Sequence, residues 1–145
     1  MAKAYASAVI DAPIETVWKI IRDFNGLPKW HSAIARSEIE DGLSSHAVGC
    51  IRSFYLQDGA HVREQLLALS DREYSLSYNF VKPAFPVTDY EAFIRLIAIT
   101  ESGRTFAEWG ATFDEAPEDA GKYVDIISTH VFAAGWKDLQ AHLAG

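Results

Sequence analysis

The stretch from Asp11 to His31, DAPIETVWKIIRDFNGLPKWH, constrains the fold more than any other part of the chain. It reads as the exit of a strand, an amphipathic helix, and a second short helix that ends in an aromatic pair. Asp11 or Ala12 stands at the cap, and Pro13 suits the first helical position, where its missing N–H costs nothing. Glu15 favours the positive end of the helix dipole. Val17, Trp18, Ile20, Ile21 and Phe24 recur at three- and four-residue spacings and form one apolar stripe. Asn25-Gly26 stops this helix, and Leu27-Pro28 restarts a turn that carries Trp30 and His31. A strand followed by two short helices usually belongs to a curved sheet that closes around a cavity.

A chain of 145 residues is the size of one ordinary domain, and we expect a single domain over residues 1–145. At this length roughly 70% of the unfolded surface is buried on folding. The 49% hydrophobic and 12% aromatic content is enough to build a core and also to line a pocket. A net charge of -7 and the lack of any Lys/Arg run argue against a nucleic-acid partner, which requires a basic patch. Cys50 is the only cysteine, so an internal disulfide is excluded and a reducing, cytoplasmic setting is the expectation. No segment has the length of a membrane span, and no stable membrane insertion is expected.

From about Ile34 to Phe113 the period changes to that of strands separated by turn residues. Asp58-Gly59 suggests a two-residue hairpin loop between Cys50–Leu56 and His61–Leu69. That loop sets Ser53 opposite Glu64. Ser53, Tyr55, Val62, Glu64 and Leu66 then share one face, with Arg52, Phe54, Arg63 and Gln65 on the other. Tyr74, Leu76, Tyr78 and Phe80 alternate with polar residues, as in a half-buried strand. Lys82 to Pro86 leaves the ladder, Thr88 to Thr100 forms the longest strand, and Thr105 to Phe113 returns with Ala107, Trp109, Ala111 and Phe113 on one face. Lys122 to Leu143 is a long closing helix, apolar on more than one side.

The order is strand, two short helices, six strands and a long helix. With DAPIETVWKIIRDFNGLPKWHSAI, GCIRSFYLQDG, REQLLALSD, SLSYNF, DYEAF and FAEWGATF in sequence, the chain resembles the START-like superfamily with the birch-pollen-allergen fold, in its bacterial polyketide cyclase/dehydrase and lipid-transport branch. The resemblance covers essentially the whole chain. It implies an α+β helix-grip fold: a seven-stranded antiparallel curved sheet wrapped around the C-terminal helix, with a hydrophobic cavity between them. Function is less constrained, because the superfamily holds lipid and hormone binders, aromatase/cyclases and chaperone co-factors.

A cavity of this kind selects by apolar area first and by a few polar groups second. Glu64 is either an inward carboxylate, paired, protonated or wet, or a solvent-facing strand residue. Trp30 and His31 lie where the family's second short helix borders the cavity mouth. Trp30 suits packing, and His31 is a helix-end residue or a ligand contact and general base. Tyr55, Tyr78, Tyr90 and Trp109 are candidate aromatic wall residues, with core packing as the alternative. Ile127, His130, Val131 and Ala134 are their candidate counterparts on the closing helix, and a lone helical histidine such as His130 is more often simply satisfied by a neighbour. Arg52 either pairs with Glu64, if a bulge moves one of them to the other's face, or is solvated on the convex side, and the convex side is the expectation.

The five histidines form no HxH or HExxH unit, and there is no P-loop, dinucleotide fingerprint or GxSxG, so neither metal nor nucleotide cofactor is expected. Two main classes of function follow. One is binding or transport of a small hydrophobic or aromatic molecule, lipid- or polyketide-like, by a monomer or homodimer. The other is a cyclase/dehydratase in which Glu64, His31 or a tyrosine moves protons during ring closure. A protein-interaction module is a third, and it requires an exposed apolar patch.

Overall fold

The computed structural model describes residues 1–145. Strand β1 (Ala2–Ile10) leads into helix α1 (Ile14–Ile21) and a 3₁₀ helix (Phe24–Lys29). Six strands follow: β2 (Ile34–Ile39), β3 (Ile51–Leu56), β4 (His61–Ser70), β5 (Ser75–Lys82), β6 (Val87–Ile99) and β7 (Arg104–Glu115). The closing helix comprises α2 (Lys122–Ile126), a π-helical stretch (Ile127–Ala133) and α3 (Ala134–Ala144). All seven strands form one antiparallel sheet in the order β1-β7-β6-β5-β4-β3-β2. This is the expected helix-grip architecture. No helix is long and apolar enough to cross a membrane.

Pro13 occupies the cap of α1 with extended backbone, one position before the place expected for it, and Ile14, Val17, Trp18 and Ile21 supply the buried stripe. The β7 alternation holds: Ala107, Trp109, Ala111 and Phe113 are all buried. Opposite them on β6, Tyr90, Ala92, Ile94 and Leu96 face inward. A register shift between Thr88 and Glu91, with Asp89 at φ 52°, absorbs one residue beyond Tyr90 and turns Val87 onto the same inner row. Small residues in these rows leave room for the closing helix. Gly135 is one point of contact: a Cβ there would meet Trp109 at 2.7 Å and His31 at 3.0 Å.

The β3–β4 hairpin departs from expectation by one residue. Its loop is Gln57-Asp58-Gly59, closed by the Leu56 N–H donating to the Ala60 carbonyl at 2.9 Å, with Gly59 in the left-handed region at φ 91°. A three-residue loop ending in a left-handed glycine is the next most common hairpin connection after the two-residue ones. It sets Arg52 opposite Glu64 and Ser53 opposite Arg63. Because side chains alternate with period two, this single residue exchanges the faces of β3. Arg52 and Phe54 turn inward, beside Val62, Glu64 and Leu66, while Tyr55 turns out. Tyr74 also differs: it lies in the turn before β5 at φ 51°, with its ring edge-on to Trp18 at 6.1 Å.

Candidate functional site

A cavity of about 220 Å³ lies between the sheet, the end of the 3₁₀ segment and the first half of the closing helix. Its sheet wall is built by Arg52, Phe54 and Leu56 from β3, Glu64 from β4, Tyr78 and Phe80 from β5, Tyr90 from β6 and Trp109 from β7. Leu27, His31, Ala33 and Ile34 close one side. Ala84 and Phe85 of the β5–β6 connection close another, and Ile126, His130 and Val131 close the helix side. Only four lining residues, His31, Arg52, Glu64 and His130, are not hydrophobic, so any polar selection rests on them and on the tyrosine hydroxyls.

Arg52 and Glu64 form a buried ion pair on the inner face, with side chains 6% and 7% exposed. The guanidinium reaches a single carboxylate oxygen, Oε1, through Nε at 2.9 Å and through the Nη2 nitrogen at 2.7 Å. Its Nη1 donates to the Phe24 carbonyl at 2.9 Å. Its plane lies over the Phe24 ring at 3.8 Å and near the Tyr78 ring at 4.9 Å, so aromatic faces cover the cation where water does not. Burial raises the Glu64 carboxyl above its ordinary pKa, with Arg52 opposing.

Tyr78 accepts a hydrogen bond from Trp109 Nε1 at 2.9 Å. Burial raises its pKa, and the Glu64 charge raises it further. Tyr90 shifts the same way, through burial first and then the neighbouring phenol. Both hydroxyls therefore stay protonated at neutral pH. Aromatic packing fixes the wall: Phe80 stacks on Tyr90 at 4.0 Å, and Phe132 stacks on Trp109 at 4.8 Å from behind.

His31 is 3% exposed, and both of its ring nitrogens are engaged. Nε2 lies 2.9 Å from the Val131 carbonyl and donates to it, while Nδ1 accepts from the Ala33 N–H at 3.3 Å. That pattern requires the neutral Nε2–H tautomer. Burial accordingly lowers the His31 pKa, against the pull of the Val131 bond and Asp138. With no free lone pair, His31 serves as a latch between the 3₁₀ segment and the closing helix. Ser32 adds a second latch, its N–H and Oγ donating to Asp138 Oδ2 at 2.9 and 2.7 Å.

The sequence candidates divide by position. His31, Glu64, Tyr78, Tyr90, Trp109, His130 and Val131 meet at the cavity. Tyr55 does not: on the outer face it stacks on His61 at 4.5 Å, beneath Arg36. Trp30 is buried, with its ring 6.0 Å from Trp109, and does not line this cavity. Ile127 is fully buried and Ala134 half-buried, both off the cavity wall, where Ile126 takes the expected place of Ile127. The cause is the π-helical stretch, whose wider turns change which residues of the closing helix share a face. Sequence reasoning preferred the convex side for Arg52 and held its pairing with Glu64 as the alternative, and the three-residue loop, not a bulge, produces that pair. The signal available was the pairing itself: an arginine and a glutamate, each flanked by apolar residues at alternate positions, fall opposite each other when the loop has three residues.

The family model for polyketide cyclase/dehydrase and lipid transport matches residues 1–144. The chain belongs to this family. Among solved structures, an uncharacterised protein of Bacillus thuringiensis is 28% identical with a TM-score of 0.87, over 99% of this chain and 100% of that one. The protein XoxI of Bacillus cereus is 30% identical with a TM-score of 0.87, over 99% and 96%. A Thermobifida fusca protein solved by NMR is 28% identical with a TM-score of 0.86, over 97% and 91%. No curated protein matches the chain. Membership of the family, with its START-like helix-grip fold, accounts for an apolar cavity on this scaffold and leaves the chemistry to the side chains that line it.

Proposed function

We propose that the protein binds a small hydrophobic or aromatic molecule in the cavity between the sheet and the closing helix. The observation that carries this reading is a mostly aromatic and aliphatic cavity with a buried Arg52–Glu64 pair on its wall. A core built only for stability has no use for such a space, because unfilled volume and buried charge both cost free energy. Binding repays part of that cost by covering apolar surface and giving the polar groups a partner.

A second reading, a cyclase or dehydratase, draws support from the family and from Glu64, a cavity carboxyl that burial raises above its ordinary pKa, the direction that favours acid and base work. In that reading the wall folds a carbonyl substrate while Glu64 serves as acid and base, and the buried tyrosines donate hydrogen bonds. His31 has no part in it, since both of its nitrogens are occupied.

Native mass spectrometry tests the two readings. The purified protein is exposed to an extract of its host's small molecules, and the released material is compared with the input. A compound retained unchanged supports the carrier, whereas one released with water lost or a ring gained supports the enzyme. Glu64→Gln then separates them: a carrier changes its affinity, and an acid/base enzyme loses turnover while keeping much of its binding.

A further inference from the structure

Resting on the binding function just proposed, we infer that the ligand is an uncharged molecule of at most about two fused rings that carries a hydroxyl or enol donor, and that the donor bonds to Glu64 Oε2. Three observations lead there. The first is size: about 220 Å³ lies between the roughly 150 Å³ that admits benzene and the lower end, about 300 Å³, of pockets for drug-sized ligands. A full-length acyl chain or a four-ring polyketide exceeds it.

The second is charge. Arg52 and Glu64 neutralise each other on the wall, and Arg52 also has its Nη1 on the Phe24 carbonyl and aromatic rings about its plane. An anionic ligand meets a cation already committed to a carboxylate, and a cationic ligand meets a carboxylate already committed to an arginine. Either one buries a charge without a counter-ion.

The third is an unused acceptor. Both contacts from Arg52 fall on Oε1, and no hydrogen bond within the chain reaches Oε2 of a residue that is only 5% exposed and lines the cavity. Oε2 is open to the cavity and not sealed within the wall, and a ligand hydroxyl entering the cavity supplies its donor. The stacked Phe80–Tyr90 rings and Trp109 present flat faces beside it, which suits a planar ring bearing that hydroxyl.

Calorimetric titration of the native protein at neutral pH tests this with four probes: 2-naphthol, 2-methoxynaphthalene, 2-naphthoate and palmitate. The expected result is 2-naphthol bound at least about tenfold more tightly than each of the other three, the scale of one hydrogen bond to a charged group. In Glu64→Gln, an amide turned toward the ligand offers N–H in place of a bare oxygen, and the gap between 2-naphthol and its methyl ether falls below about threefold. Equal binding of 2-naphthol and 2-methoxynaphthalene, or tighter binding of 2-naphthoate or palmitate, overturns this inference while leaving a binding cavity in place. Failure of all four probes to bind overturns both the inference and the binding function beneath it.

Discussion

At the residue scale, the Arg52–Glu64 pair carries the largest consequences. Arg52→Ala leaves the Glu64 carboxyl buried without its partner, and the expected loss is about 3–5 kcal/mol in equilibrium denaturation. Replacing both, Arg52→Met with Glu64→Leu, removes the charge and keeps the volume, so stability returns to within about 1 kcal/mol of the starting protein or rises above it. A double variant as unstable as the single one would show that the pair holds the sheet together by itself. His31 gives a pH prediction. Its folded pKa lies below the ordinary 6.5, so the unfolded chain takes up a proton first as pH falls. The stabilisation from neutral His31 is complete above that value and is lost as pH drops from there through the lower folded pKa. His31→Gln, compared by thermal unfolding between pH 7 and pH 5, should show a shallower decline than the parent. An unchanged slope would place the acid sensitivity elsewhere. The neutral state of His31 was not legible in the sequence, because it depends on a carbonyl one hundred residues away.

At the scale of elements, the β3–β4 hairpin shows where sequence reading succeeds and where it stops. Both strands and the Asp58-Gly59 turn were legible from alternation and turn chemistry. The loop length was not, since a two-residue loop and a three-residue loop ending in glycine use the same residues, and the choice decides the face of every β3 side chain. Gly59 holds φ 91°, a conformation that disfavours any Cβ, so Gly59→Ala should cost about 1 kcal/mol or more in denaturant unfolding. A neutral outcome would mean the loop relaxes to another turn. The closing helix follows the same pattern: its length and apolar breadth were readable, and its π-helical stretch was not, because local spacing carries no mark of the wider turn. Gly135 sits where that helix meets Trp109 and His31, and Gly135→Ala forces contacts as short as 2.7 Å. The expected penalty is about 1–3 kcal/mol, together with weaker ligand binding as Trp109 is pushed toward the cavity.

For the whole molecule, the run of one strand, two short helices, six strands and a long helix was legible in the sequence, the helix-gripped sheet was what the family resemblance implied, and the family match agrees with both. The site was legible only in outline. Glu64, Tyr78, Tyr90 and Trp109 come together as a wall because alternation fixes faces over long strands, whereas Arg52 and Ile126 depend on one residue of loop and one wide helical turn. The central claim is that this cavity, and not the outer face of the sheet, is where the protein meets its ligand. Methyl NMR of the isotope-labelled protein titrated with 2-naphthol tests it most directly. The account predicts shifts confined to the cavity methyls of Leu27, Ile34, Leu56, Ile126 and Val131, with Val17 and Leu139 in the core unmoved. Shifts at the exposed Val9 and Ile97 of the outer face, with the cavity methyls silent, would contradict it.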